Sequence, residues 1–157
     1  MGAGDLPSKP LRLVPVDEGN RADCIALRVT VEQLPLIASN AKSLRQAAVN
    51  PTLVPRVLLE GPQVVGFAMY QRRQDGSAYI WRVMVGAAHQ GRGLGRRAME
   101  LLLEELCDAG IRTVFISHRP QNRVAAHLFE ALGFAEQDFE PDGEVVRRLQ
   151  LPDKAER

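Results

Sequence analysis

The stretch Val83-Met84-Val85-Gly86-Ala87-Ala88-His89-Gln90-Gly91-Arg92-Gly93-Leu94-Gly95-Arg96-Arg97 constrains this chain more than any other part of it. An apolar strand runs into a loop with glycine at positions 91, 93 and 95. The loop opens directly into a helical pattern over Gly93 to Ala109, with Leu94, Ala98, Leu101, Leu102 and Leu106 on one face. The first turn of a helix carries unpaired N–H groups and a partial positive charge. Gly91, Gly93 and Gly95 remove side chains that would keep a phosphate from those amides, and Arg92, Arg96 and Arg97 add formal charge. The segment suits a polyanion.

Spacing narrows which one. A Walker A loop ends in Gly-Lys-Ser/Thr, absent here. A dinucleotide fingerprint begun at Gly91 meets Arg96 where its third glycine belongs, and the segment follows a meander instead of a first βαβ strand. What remains is Q-x-x-G-x-G, from Gln90 to Gly95.

The flanking patterns set the fold. Leu11–Val16 reads as a first strand, and Arg21–Val29 and Ser43–Val49 as helices broken or capped at Pro35 and Ser39-Asn40. Val54–Glu60, Val64–Arg72 and Ser77–Val85, turned at Gly61-Pro62 and Asp75-Gly76, form an antiparallel meander. Gly110 stops the long helix, and Arg112–Ser117 is a short buried strand. Asn122 caps a helix carrying Val124, Ala125, Leu128, Phe129 and Leu132; Gly133-Phe134 ends it. Strands Phe134–Glu140 and Glu144–Leu151 flank the Asp142-Gly143 turn. The expected class is α/β (α+β mixed): one central, mixed but mostly antiparallel sheet of about 6–7 strands, with helices on both faces. A chain of 157 residues fits one domain, with residues 1–9 and 152–157 expected as flexible ends.

Charge and composition exclude several classes. A net charge of +1 makes no electrostatic case for nucleic acid or an anionic membrane. No apolar run approaches the ~20 residues of a membrane helix, and the N-terminus lacks a signal-peptide core. Cys24 and Cys107 fit two reduced thiols in a cytoplasmic protein. His89, His118 and His127 have no metal-ligand spacing, so no metal is expected.

With Val83–Val85, Gln90–Gly95 and the later Asn122-x-x-Ala125…Leu128-Phe129-Glu130-x-x-Gly133-Phe134 in this order, the chain resembles the GNAT superfamily of N-acetyltransferases over about Val54 to Leu151. The resemblance implies acetyl-CoA as cosubstrate. Its pyrophosphate would meet the loop Gln90, Gly91, Arg92, Gly93, Leu94, Gly95 and Arg96, and its pantetheine arm the strand Val83, Met84 and Val85, with Asn122 and Phe129 beside the arm. A narrower likeness, to bacterial spermine/spermidine (diamine) acetyltransferases, rests on Val31-Glu32-Gln33, Ala38-Ser39-Asn40-Ala41-x-Ser43-Leu44, Val65–Tyr70, Ile80–Met84 and Gly143–Val146. It implies a small polyamine-like amine as acceptor.

The implied reaction is direct attack of a neutral amine on the thioester. An alkylammonium of pKa near about 10 must first lose a proton, and the departing thiolate must gain one. Glu32 is the first candidate for binding the amine or relaying its proton, and a solvated helix-end carboxylate is the competing reading. His118, at the end of its strand, is the second, weighed against an ordinary loop histidine. Phe129 stands where the family often has a tyrosine acid, so His118 substitutes, water protonates the thiolate, or turnover is slow. Trp81, expected on the same strand face as Val83, is a cleft wall or a cation–π site for the amine. The basic run Gln71-Arg72-Arg73-Gln74 disfavours a polycation if it borders the acceptor site. Transfer to a protein α-amine or lysine, or a noncatalytic acyl-CoA-binding module, stay open as alternatives, and a homodimer is compatible with the chain.

Overall fold

The computed structural model describes residues 9–29 and 39–153. Their elements follow the expected order: β1 (Leu11–Pro15), α1 (Arg21–Ala26), α2 (Asn40–Val49), β2 (Leu53–Glu60), β3 (Gln63–Arg72), β4 (Ala78–Val85), α3 (Leu94–Asp108), β5 (Thr113–His118), α4 (Arg123–Ala131), β6 (Ala135–Phe139) and β7 (Val145–Gln150). They build one seven-stranded sheet, ordered β1-β2-β3-β4-β5-β7-β6. Every neighbouring pair is antiparallel except β4 and β5, which the α3 crossover makes parallel.

Both faces of the sheet centre are covered, which is why β3 reads as an unbroken apolar run, Val64 to Tyr70. On one face Ala68, Tyr70, Ile80, Val114 and Ile116 pack under Met99, Leu102 and Leu106 of α3 and Phe129 of α4. On the other, Val57, Phe67, Met69 and Met84 meet Cys24 of α1 and Leu44 of α2. Fully burying a side chain the size of Leu102 stabilises the fold by about 1.5–3 kcal/mol, so the 0% exposed Met99, Leu102 and Leu106 fix α3 firmly.

Capping sets where the helices begin and end. Ser39 accepts from the amide of Lys42 at 3.2 Å, so α2 starts three residues before its expected Ser43. Asn122 caps α4 by accepting from Ala125 N–H at 3.2 Å. At the other end Gly133 has φ 97°, and Phe134 donates its amide to Phe129 O at 3.0 Å and packs on the Phe129 ring.

One face assignment needs correction. Trp81 does not share a face with Val83, because the β3–β4 register shifts between Met69 and Tyr70 and leaves Trp81 as a bulged residue. Trp81 packs in the α1/α2 layer, whereas Val83 packs in the α3 layer. A strict two-residue period carries no sign of a bulge.

Of the ends expected to be flexible, residues 1–8 and 154–157 lie outside the described residues. Pro152 O accepts from Cys107 Sγ at 3.5 Å, and Asp153 pairs with Arg112 at 2.7 Å. Among the described residues, no helix is long and apolar enough to cross a membrane.

Candidate active site

The parallel pairing of β4 and β5 lasts only three rungs, Ala78↔Val114, Tyr79↔Phe115 and Ile80↔Ile116. Beyond Ile80 the strands part. β4 continues to Val85 along β3 alone, while β5 continues with Ser117 and His118 along β7. The gap opens into a cleft of about 840 Å³, within the usual range for small-molecule sites.

At one end of this gap β4 delivers the chain through a 3-10 turn, Ala87–His89, into the glycine loop and α3. Gln90 Nε2 donates to Val85 O at 2.9 Å and ties the loop to the strand end. Leu94, 2% exposed, anchors the first turn of α3 on Leu58, Val65 and Val85. The glycines serve two purposes. Gly91 and Gly93 hold φ values of 81° and 75°, the left-handed region that a side chain resists. Gly95 sits inside the helix, and a Cβ there would meet nothing closer than Leu128 and Val85 at 4.0 Å. Neither φ nor packing demands glycine at 95, although it costs the helix about 1 kcal/mol against alanine. With Gly93 as N-cap no side chain caps α3, so the first-turn amides are left for an outside acceptor. These residues fit a pyrophosphate.

The arginines are placed differently from the sequence reading. Arg92 forms a two-point ion pair with Glu60 at the end of β2, and this bond raises its pKa further. It braces the loop against the sheet. Arg96 and Arg97, with side chains 53% and 45% exposed, both lie 3.6 Å from Glu100, which offsets part of their charge.

The cleft gathers Trp81 and Val83 of β4, His118 of β5, Phe129 of α4 and its N-cap Asn122. Asn122 spends its Oδ1 on capping α4. Met84, 6% exposed, turns away into the α1/α2 layer beside Asn40. His118, also 6% exposed, has both ring nitrogens engaged: Nε2 faces Arg147 Nε at 3.0 Å and Nδ1 faces Arg119 O at 2.9 Å. The pattern is that of a neutral ring donating from Nδ1 and accepting at Nε2, leaving no lone pair or proton for a substrate. Phe129 stacks obliquely on His118 with centroids 5.9 Å apart. Trp81 donates Nε1–H to Gln71 Oε1 at 3.2 Å. Glu32 lies outside the described residues.

The far end of the cleft holds groups that sequence reasoning did not assemble. The β6–β7 turn brings in Glu140, Asp142 and Glu144; β3, β4 and their hairpin bring in Arg73 and Arg82. The basic hairpin therefore does border the cleft, through Arg73. Tyr79 donates to Glu140 at 3.0 Å, and burial pushes its phenol up to about 12, with the Glu140 carboxylate adding to the rise. Ser117 donates to Glu144 at 3.0 Å. From the sequence this turn carries a chain reversal at Asp142-Gly143 and part of a family likeness at Gly143–Val146; the clustering of its three carboxylates is the signal for a site. Among the described residues no group of three or more His, Cys, Asp or Glu is arranged to hold a metal.

The parted parallel strand pair, with an uncapped, glycine-lined helix start at the parting, is an arrangement suited to a ligand that carries a pyrophosphate on an extended arm. The chain belongs to the acetyltransferase (GNAT) family, whose pattern it matches over residues 25–134, well over half its length. It is 28% identical over 145 residues to the spermine/spermidine N(1)-acetyltransferase of Bacillus subtilis, covering 85% of this chain and 95% of that protein. It is 34% identical over 79 residues to the [ribosomal protein bS18]-alanine N-acetyltransferase of Escherichia coli, covering 50% of this chain and 53% of the other. A Bacillus subtilis acetyltransferase solved in complex with CoA superimposes with a TM-score of 0.72 at 16% identity, over 91% of this chain and all of that one (100%). The protein is an acetyl-CoA-dependent N-acetyltransferase.

Proposed function

We propose that this enzyme acetylates the primary amine of a small molecule bound between the β6–β7 turn and the β3–β4 hairpin. The observation that carries the reading is the cleft itself: it is of small-molecule size, joined to the strand parting, and lined by carboxylates that attract an ammonium. The narrower polyamine expectation is supported by the near full-length likeness to the Bacillus spermine/spermidine enzyme. The presence of Arg73 and Arg82 in the same cleft weighs against a long polycation.

Gly91, Gly93, Gly95 and the first-turn amides of α3 would hold the pyrophosphate, and the unpaired edge of β4 from Val83 to Val85 the pantetheine arm. When bound, acetyl-CoA supplies an activated acetyl thioester. The acceptor nitrogen forms a C–N bond to the acetyl carbon as the C–S bond breaks. The ammonium gives up two protons to its surroundings and the thiolate takes one back from water, so one proton is released overall. Glu144, held by Ser117 at the mouth of the parting, is the carboxylate assigned to take the first proton, directly or through a water. With the His118 nitrogens engaged and Phe129 lacking a hydroxyl, thiolate protonation falls to solvent. His118 serves instead as a wall fixed by Arg147. Glu32 keeps its proposed role in binding the amine. The two cysteines, both free and buried, support a cytoplasmic setting.

The test is thiol release from acetyl-CoA across small amines, amino acids and peptides with free N-termini. Turnover of small amines well above the peptides is expected. Turnover confined to peptides would overturn the acceptor class and favour a protein substrate.

A further inference from the structure

We propose that the acceptor is a zwitterion, an amine that also carries a carboxylate, with Arg82 and Arg73 holding the carboxylate and the Glu140–Glu144 turn holding the ammonium. The proposal rests on the reading of this cleft as the acceptor site and names the acceptor's chemistry.

Among the described residues no ion pair closes between the two walls, although the Glu144 field reaches Arg82 and Asp75 of the hairpin feels Arg73. Neither arginine is joined to Glu140, Asp142 or Glu144. Each is instead held by a neutral partner. Tyr79 and Ser117 hydroxyls donate to Glu140 and Glu144, both at 3.0 Å. Arg73 lies over the rings of Tyr79 at 4.6 Å and Phe115 at 5.9 Å. Arg82 lies 5.8 Å from the Trp81 ring and spends Nη1 on Trp81 O at 2.7 Å. Neutral partners orient a charge without cancelling it. The result is a cleft with a positive wall and a negative wall, each set in place before any ligand arrives.

Arg82 is the group most in need of an anion. Its Nε is buried and has no hydrogen-bond acceptor among the described residues. Burial works against its charged form, and the field of Glu144 only partly opposes this. A buried cationic donor without an acceptor is costly. Nε has no exposed surface and Nη1 is partly spent on Trp81 O, so a carboxylate in the cleft would meet Arg82 through its remaining Nη1 and Nη2 protons. A polycation would bring further positive charge to this wall. A simple anion would meet the acidic turn. A molecule with its carboxylate and amine separated by several bonds satisfies both walls.

Position adds a second argument. Arg82 immediately precedes Val83 on the unpaired edge of β4, so a carboxylate held there fixes the acceptor relative to the strand that would carry the thioester. The carboxylate takes no part in the bond changes given above. Its contribution is to binding and orientation.

The test compares matched acceptors with the full chain and acetyl-CoA: lysine against cadaverine, and ornithine against putrescine, by thiol release. For each pair kcat/KM is expected to be about 10-fold or more higher for the amino acid, equivalent to about 1.4 kcal/mol. Arg82→Gln is expected to bring that ratio close to one, chiefly by raising KM for the amino acids, with CoA affinity by calorimetry unchanged. Arg73→Gln should lower the same ratio part of the way, and serves if Arg82→Gln fails to fold. Equal or faster turnover of the decarboxylated amines would overturn the zwitterion and leave the transferase reading in place. Silence on every acceptor with CoA still bound would overturn the reading of the cleft itself.

Discussion

Where the strand parting meets the start of α3, the recognition surface is main chain: first-turn amides, glycines without side chains, and an unpaired strand edge. At the β6–β7 end it is side chains: carboxylates of one turn opposite guanidiniums of one hairpin, steadied by Tyr79, Ser117 and Trp81. The first surface is fixed by covalent geometry and helix start, so it suits a constant ligand. The second is set by residue identity at scattered positions, so a few substitutions retune it without touching the fold. One chain thus combines an invariant donor site with an adjustable acceptor site.

Substitutions can break this contrast. Gly95→Val should have the largest effect: a branched side chain over the first-turn amides removes two or three charge-assisted hydrogen bonds, weakening CoA by about 100-fold or more in a calorimetric titration. Helix stability should be preserved, since valine exceeds glycine in helix propensity. Unaltered CoA affinity in Gly95→Val would sink the main-chain half of the comparison. Gly93→Ala should act on folding, because φ 75° is strained for alanine, with a loss of about 1–2 kcal/mol by thermal melting. Glu144→Gln should reduce amine kcat/KM by about 10-fold, an effect typical of losing one positioned proton acceptor, while CoA binding stays constant. If CoA affinity fell equally, the two ends could not be treated as separate sites.

A gentler test uses alkali. The Tyr70 and Tyr79 phenols are both pushed up to about 12 by burial, with the Glu105 and Glu140 carboxylates adding. A raised folded pKa means stability present in full below the ordinary tyrosine pKa near 10 and lost as pH climbs toward 12. Tyr79→Phe should make the fall in melting temperature between those limits shallower, leaving the Tyr70 share. Arg96→Gln should do least. Its exposed side chain shares Glu100 with Arg97, so a change in CoA affinity of about 2-fold or less is expected, shrinking further with salt.

The difference between the two ends also decided what could be read from the chain. The glycine loop, the cap at Asn122 and the turn at Gly133 are local patterns spanning a few residues and sit where their spacing indicates, while the cap at Ser39 starts its helix ahead of the expected Ser43. The acceptor wall joins Arg73 and Arg82 to Glu140 and Glu144, far along the chain, and no local period connects them. Arg92 shows the same limit within the loop: its charge was legible, but its partner Glu60 is 32 positions away and fixes it as a brace. Trp81 was placed on the wrong face because a bulge inverts every side chain beyond it. Glu32, in 30–38, stays outside the described residues.

The short seam between β4 and β5 has a mechanical consequence. Four strands on one side and three on the other are joined through only three rungs, with α3 spanning the join. A ligand arm lying against the free edge of β4 would act as extra rungs and stiffen the junction between the two blocks. Amide exchange at Trp81–Val85 and Ser117–His118 should therefore slow on CoA addition more than exchange in the β2–β3 hairpin.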